Sequence, residues 1–199
     1  MSIISHGFGG GRRSSQPELP PGQYLVHDFP VLSAGPTPRI PQERWKFTVT
    51  TESGGKHQWS WDEFQKLPAD DVTKDIHCVT KWSKLGTTWR GVSLDTIFEE
   101  VETAADFTMV HSYGGYTTNV PMEDLLNGQA WVAYEFDGEP LAPEHGGPAR
   151  LLVPHLYFWK SAKWVNGIEM LNDDDPGFWE EAGYHMYGDP WREQRYQGD

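Results

Sequence analysis

The 199-residue chain holds a single cysteine, Cys78. One thiol rules out an intramolecular disulfide, a Cys-rich zinc site and a Cys-ligated iron–sulfur cluster, and the CxxCH of covalent haem attachment is absent. Long apolar runs are missing as well. Nothing approaches the roughly 18 consecutive apolar residues of a membrane span. Arg12-Arg13 is followed by Ser14-Ser15-Gln16-Pro17-Glu18 rather than by the apolar stretch of an export signal. The expectation is a soluble, cytoplasmic protein with no membrane span. Positive charge is scarce: 16 Lys and Arg stand against 29 Asp and Glu, for a net charge of −13. That balance argues against nucleic acid or anionic membrane as a partner, since both repel it at long range. The eight His residues show no HxH or HExxH spacing, so a conventional metal site is not indicated. Apolar residues make up only 37%, but ten Trp, nine Phe and eight Tyr supply enough burial for a core.

Residues 1–22 are rich in Gly, Ser and Pro and read as a mobile arm; 23–199 read as one domain. Residues 23–41 contain four prolines and read as extended chain across the surface. Trp45, Phe47 and Val49 alternate with polar residues and predict a half-buried strand, with a return strand at His57–Trp61 after the Gly54-Gly55 turn. Ser93 ahead of Leu94, Ile97, Phe98 and Val101 predicts a short amphipathic helix with a serine N-cap. Further strands are predicted at Phe107–Tyr113, Gln129–Phe136, Arg150–Pro154 and Lys163–Leu171. Residues 172–199 open with Asp173-Asp174-Asp175-Pro176-Gly177, carry six aromatic residues, and read as an irregular acidic segment packed over the domain. The class is α+β with an irregular, strand-rich core.

Acidic residues are absent from two runs, His77 to Leu94 and Gly146 to Ile168. Together these hold Lys81, Lys84, Arg90, Arg150, Lys160 and Lys163. Buried strands with a few snorkelling cations would give this pattern. Two segments converging on an anionic ligand would give it too, and Gly146-Gly147 and Ser161-Ala162 would let backbone N–H groups approach its oxygens. Cys78 sits in the first run. Near cations its thiolate is favoured, which suits a nucleophile or a soft-metal ligand; as an uncharged thiol it would be an inert small hydrophobe. If it were a nucleophile, His111, His145 or His155 could be its base, and the local sequence selects none of them. A non-catalytic aromatic-rich binding module and a metal-free thiol redox enzyme therefore stand as alternatives.

The run Asp75-Ile76-His77-Cys78-Val79-Thr80-Lys81-Trp82-Ser83 and the run from His145-Gly146-Gly147-Pro148-Ala149-Arg150 through Pro154 to Trp159-Lys160-Ser161-Ala162-Lys163-Trp164 resemble the molybdopterin-binding domain of the sulfite oxidase family. The resemblance spans residues 23–171 and is to the small bacterial sulfite oxidase-like oxidoreductases. It implies a mononuclear molybdenum held by the dithiolene of one bare molybdopterin, with Cys78 as the protein's metal ligand. It further implies cofactor contacts from His145 and Arg150, from the Ser161, Ala162, Lys163 tripeptide, from Ser112 and Lys81, and from His27 near the N-terminus. Cys78, Tyr113 and His111 are the implied catalytic residues. The implied activity is oxygen-atom transfer on a small oxyanion or sulfoxide-type molecule, with electrons exchanged through a separate carrier. The residues after Cys78, Val-Thr-Lys-Trp-Ser, depart from those of true sulfite oxidases.

Overall fold

A computed structural model describes residues 17–199. Most of the expected arm lies outside that range. Of its described end, Pro20 is buried and Pro21 offers its carbonyl to Arg195. Among the described residues no helix is long and apolar enough to cross a membrane.

Two mixed sheets form the framework. The first runs in the order β1 (Tyr24–Leu25), β5 (Trp82–Ser93), β8 (Trp131–Phe136), β10 (Arg150–Leu152); β4 (Asp70–His77) also pairs with β5, and β9 (Glu139–Pro140) with β8. The second runs β3 (Lys56–Ser60), β2 (Lys46–Thr50), β11 (Val165–Leu171), β6 (Phe107–Ser112), β7 (Thr117–Pro121). Within it β11 lies parallel to β2 and antiparallel to β6. The strand-rich α+β expectation is met.

Alternation explains the outer strands. In β2, Phe47 and Val49 are buried while Lys46 is exposed, because successive side chains point to opposite faces. In β6 the buried positions are Thr108, Val110 and Ser112. The long β4–β5 pair was not apparent from the sequence. Its outward positions carry Asp70, Asp71, Lys74 and Asp75, and a bulge between Lys74 and Ile76 breaks the period. The expected return strand ends at Ser60 rather than Trp61, because Ser60 and Glu63 form a capping box that opens α1 (Trp61–Phe64). The helix expected to reach Val101 is α2 (Leu94–Phe98); it stops at Phe98, and Val101 N bonds the Phe98 carbonyl one short turn on.

Two apolar clusters result. The larger joins Trp45, Phe47, Phe64, Val110, Leu151 and Ile168, with Trp45 Nε1 donating to the Val165 carbonyl at 3.0 Å. The smaller gathers Ile76, Trp82, Trp89, Tyr157 and Phe158 around Cys78. The C-terminal residues, including α3 (Phe178–Glu181), fold back over this region. Glu180, fully buried, pairs with fully buried Lys160 at 2.7 Å and accepts from Trp159 Nε1 and Thr118 Oγ1.

Candidate functional site

A cavity of about 640 Å³ opens where the β4–β5 turn, the β6–β7 turn, the loop before β11 and the C-terminal segment meet. A strap of chain from Phe29 to Pro38 forms one wall, and Phe178, Trp179 and Tyr184 form the opposite rim. Among its lining residues only Arg150 and Lys163 carry charge.

Cys78 lines this cavity from a tight turn between β4 and β5. Its N–H donates to the Trp82 carbonyl at 2.9 Å, and its own carbonyl accepts from Lys81 N at 2.9 Å. Lys81 closes the turn with a left-handed φ of 79°, a conformation that a non-glycine residue adopts at a cost. Thr80 Oγ1 donates to the sulfur at 3.1 Å. Burial pushes the thiol's pKa up, with the Thr80 hydrogen bond and the Arg195 charge working against that. Burial thus favours the neutral thiol, whose proton would be displaced to solvent when a soft cation binds the sulfur.

Arg150 enters from β10 and is 1% exposed. Its guanidinium donates to the carbonyls of His145 at 2.7 Å and Ser161 at 2.6 Å, and lies 4.1 Å from the Phe158 ring centroid. These acceptors are neutral, so the buried positive charge has no carboxylate in contact. Burial draws its pKa down to about 9. Lys163 donates to the carbonyls of Leu32 and Glu144 at 2.7 and 2.6 Å; burial and the nearby Arg150 bring it down to about 8. Among the described residues no carboxylate lines the space the two cations face, and only Glu144, outside the lining, partly offsets Lys163, which is the electrostatics of an anion slot. Gly146, at φ 111°, lets the chain pass close beside both cations, where a Cβ would press on Arg150 and Lys163 at 3.0 and 3.1 Å. Three buried polar atoms nearby have no partner: Trp82 Nε1, Ser112 Oγ and His145 Nδ1. His145 stacks on the wall residue Phe29 at 3.9 Å, and burial with the adjacent cations keeps its pKa low, so its ring is neutral.

The structure thus brings Cys78, Tyr113, Arg150, Ser161, Ala162 and Lys163 to one cavity, with His145 and Ser112 just behind its lining. It does not bring in three others. His111 is adjacent to Ser112 on a strand, so it faces the other way, and its Nε2 pairs with Glu169 at 3.2 Å. Lys81 is exposed, and His27 is exposed with its carbonyl accepting from Lys84 Nζ. Neither lines the cavity. Tyr113 lines it, but its hydroxyl is engaged by the backbone, accepting from Lys46 N at 2.9 Å and donating to the Arg44 carbonyl. His155 is held by Asp124 at 2.8 Å, away from the lining. Sequence reasoning missed Trp82, Thr80 and Phe29 as site residues, although the first two lie inside the Cys78 run. It also missed Arg195.

A cavity that presents one soft thiol, two cations with no lining carboxylate and unpartnered polar atoms fits a sulfur-bearing metal cofactor with an anionic tail. Comparison with known proteins agrees. Residues 34–179 match the family described as the oxidoreductase molybdopterin binding domain. The chain belongs to this family. It is 42% identical to the oxidoreductase YuiH of Bacillus subtilis (strain 168) over 196 residues, 96% of this chain and 99% of that protein. It is 32% identical over 136 residues to the putative protein-methionine-sulfoxide reductase subunit YedZ1 of Azospira oryzae, covering 67% of this chain and 51% of the other. Mitochondrial sulfite oxidase of Rattus norvegicus matches at 23% over 201 residues, 84% of this chain but 37% of that one. The crystal structure of the sulfane dehydrogenase SoxCD from Paracoccus pantotrophus shares the fold, with a TM-score of 0.62 at 16% identity over 69% of this chain and 40% of that one. The chain therefore spans nearly all of the Bacillus protein and about half or less of the others. As a sulfite oxidase-like molybdopterin domain, the protein is a molybdenum cofactor-dependent oxidoreductase.

Proposed function

We propose that this domain performs oxygen-atom transfer on a small sulfoxide-type or oxyanion substrate inside the 640 Å³ cavity, exchanging electrons with a separate carrier. The observation that carries the reading is that Cys78 and the uncompensated Arg150 line the same cavity. Cys78 is the protein's ligand to molybdenum. Arg150 and Lys163 would hold the terminal phosphate of the pterin, and the unpartnered Trp82 Nε1 on the lining would supply a further polar contact, with Ser112 Oγ and the neutral ring of His145 behind it. Bound molybdenum supplies two-electron redox chemistry with transfer of an oxygen atom. The chain's own residues bind, orient and exclude water: the strap from Phe29 and the rim of Phe178, Trp179 and Tyr184 enclose the space above the thiol.

With both lining cations engaged by the phosphate, the rest of the wall is neutral, mostly apolar and rich in aromatic residues. Such a wall favours a polar but uncharged oxygen donor with apolar substituents over a doubly charged oxyanion. Reducing a sulfoxide to a thioether takes two electrons and two protons and releases water. One cysteine leaves no iron–sulfur centre to store those electrons, hence the separate carrier.

Neither alternative is supported. Trp82, Trp159, Trp164 and Trp179 do line the cavity, but an aromatic stacking platform would leave the buried Arg150 charge and the Cys78 thiol in the same cavity without a role. The raised pKa of Cys78 is the reverse of what a free nucleophilic thiolate needs.

Protein purified from a molybdenum-replete host is expected to carry one molybdenum and one pterin per chain, and to reduce methyl phenyl sulfoxide with a reduced viologen dye. Sulfite oxidation faster than sulfoxide reduction would overturn the preference for a sulfoxide and leave the oxyanion as substrate. A Cys78→Ser protein with full molybdenum and activity would overturn the ligand assignment.

A further inference from the structure

Past residue 179, where the family match ends, the chain carries a buried cation that the function proposed above does not use. Arg195 is 6% exposed. Its planar fork reaches two segments distant in sequence: Nη1 donates to the Val79 carbonyl at 2.7 Å and Nη2 to the Pro21 carbonyl at 3.1 Å. The guanidinium lies 4.9 Å from the ring centroid of Tyr157, itself wholly buried. The arginine's own backbone is fixed as well, since Asp199 accepts from Arg195 N at 2.9 Å and the Arg195 carbonyl accepts from His185 N at 3.1 Å.

Val79 is the residue after the candidate metal ligand, and the turn it belongs to needs support. Lys81 holds a left-handed backbone there, and such a conformation persists where surrounding contacts over-determine it. Those contacts come from outside the turn: Gln23 Nε2 donates to the Cys78 carbonyl at 3.0 Å, Tyr24 N to the Lys81 carbonyl at 2.8 Å, and Arg195 to the Val79 carbonyl. Of the three, only Arg195 also brings a positive charge beside the sulfur, one that half-exposed Glu193 shares at 3.5 Å from Arg195 Nε. A single ammonium could not span both the Val79 and Pro21 carbonyls as a rigid fork does.

We propose that Arg195 is a positioning residue for Cys78, locking the Val79 carbonyl so that the sulfur points into the cavity and setting a positive charge behind the metal-bound thiolate. The proposal rests on Cys78 ligating molybdenum. Groups that orient a metal ligand from behind are worth about 10- to 100-fold in metal affinity or activity when removed.

The test compares Arg195→Gln, Arg195→Lys and Lys160→Met in the full-length holoprotein. Lys160→Met loosens the same C-terminal segment without touching the cysteine turn. Arg195→Gln is expected to lose molybdenum about 10- to 100-fold more readily on dialysis, to lower the molybdenum midpoint potential by removing a positive charge, and to alter the Mo(V) paramagnetic resonance signal. Arg195→Lys, which keeps the charge, is expected to bring the potential back towards the wild-type value. In cofactor-free protein, the Lys81 amide is expected to exchange hydrogen faster in Arg195→Gln than in Lys160→Met. A folded Arg195→Gln protein with unchanged potential and signal overturns the proposal, as does Lys160→Met shifting the signal equally. If Arg195→Gln does not fold, Arg195→Lys is read for signal shape and Lys81 exchange, and wild-type values for both overturn the proposal. X-ray absorption separates the two readings: Cys78→Ser should show one sulfur ligand fewer. If it does while Arg195 variants are silent, only the role of Arg195 fails; if it does not, ligation by Cys78 fails first.

Discussion

The two acid-free runs meet at one cavity, but they carry their cations to different places. In the first, Lys84 reaches out to the His27 carbonyl, Arg90 pairs with exposed Asp71, and Lys81 is exposed. What that run gives the site is neutral: a thiol, an indole and a backbone turn. In the second, Arg150 and Lys163 face the cavity, and Lys160 is sealed in an ion pair with Glu180. The first run lacks acids because it is largely a central strand, flanked by β4, β8 and β1. In the second, Arg150 and Lys163 line the cavity, and under the function proposed above a carboxylate there would neutralise the anion slot. The same compositional signal therefore has two physical causes, and only the burial and partners of each cation tell them apart.

Substitutions can break that contrast. The largest effect is expected at Arg150. Leaving a bound phosphate buried without its Arg150 partner would cost about 2–5 kcal/mol, so Arg150→Met should emerge without molybdenum or pterin by metal and fluorescence analysis. Full cofactor content in that variant would remove the anion slot from the second run.

Next is Lys160→Met, which leaves Glu180 buried without its cation. Breaking such a pair costs about 3–5 kcal/mol, read as a lower midpoint of chemical denaturation. The chains that remain folded should keep their cofactor. Lys160→Met combined with Glu180→Gln should recover much of the loss, because the amide oxygen still accepts from Trp159 and Thr118. Loss of cofactor from folded Lys160→Met would place Lys160 with Arg150 after all.

Lys163 should act through pH. Its folded pKa of about 8 lies below the usual lysine value, so between pH 8 and that value the unfolded chain binds the extra proton. Stability of the cofactor-free protein should therefore rise with pH across that window, less steeply in Lys163→Met. Retention of an anionic cofactor should run the opposite way, weakening as Lys163 loses its proton above about pH 8. Opposed pH slopes for stability and retention would locate its charge in the slot; parallel slopes would not. The smallest effects are expected in the first run, where Lys81→Ala, Lys84→Ala and Arg90→Ala should leave cofactor content and denaturation midpoint at wild-type values.

Much of this was legible in the sequence wherever a signal is local. The β2 alternation, the serine cap on α2 and the two runs that line the cavity could be read because neighbouring residues carry the pattern. His111 shows where local reading misled: it stands next to Ser112, yet the pleat sends the two to opposite faces, and only knowing that Val110 and Ser112 are inward settles which one nears the site. The β4–β5 pair was hidden because charged outward positions mask its period. Arg195 was invisible for another reason. Its importance lies in a carbonyl 116 residues away, and nothing in Glu193-Gln194-Arg195 distinguishes it from a surface arginine.

The second sheet's middle strand, β11, is also its last in sequence, and it pairs with β2 about 119 residues earlier, as at Thr48 and Gly167. Until residue 171 has left the ribosome, the β2–β3 hairpin and the β6–β7 hairpin exist as separate halves, each with an open edge and an apolar face. Closing them is a long-range step of the kind that makes folding slow and exposes intermediates to aggregation. The segment that completes the sheet follows directly on Lys163 and the anion slot. Chain assembly and the readiness of the protein to accept its cofactor are thus tied to a single, late event in synthesis.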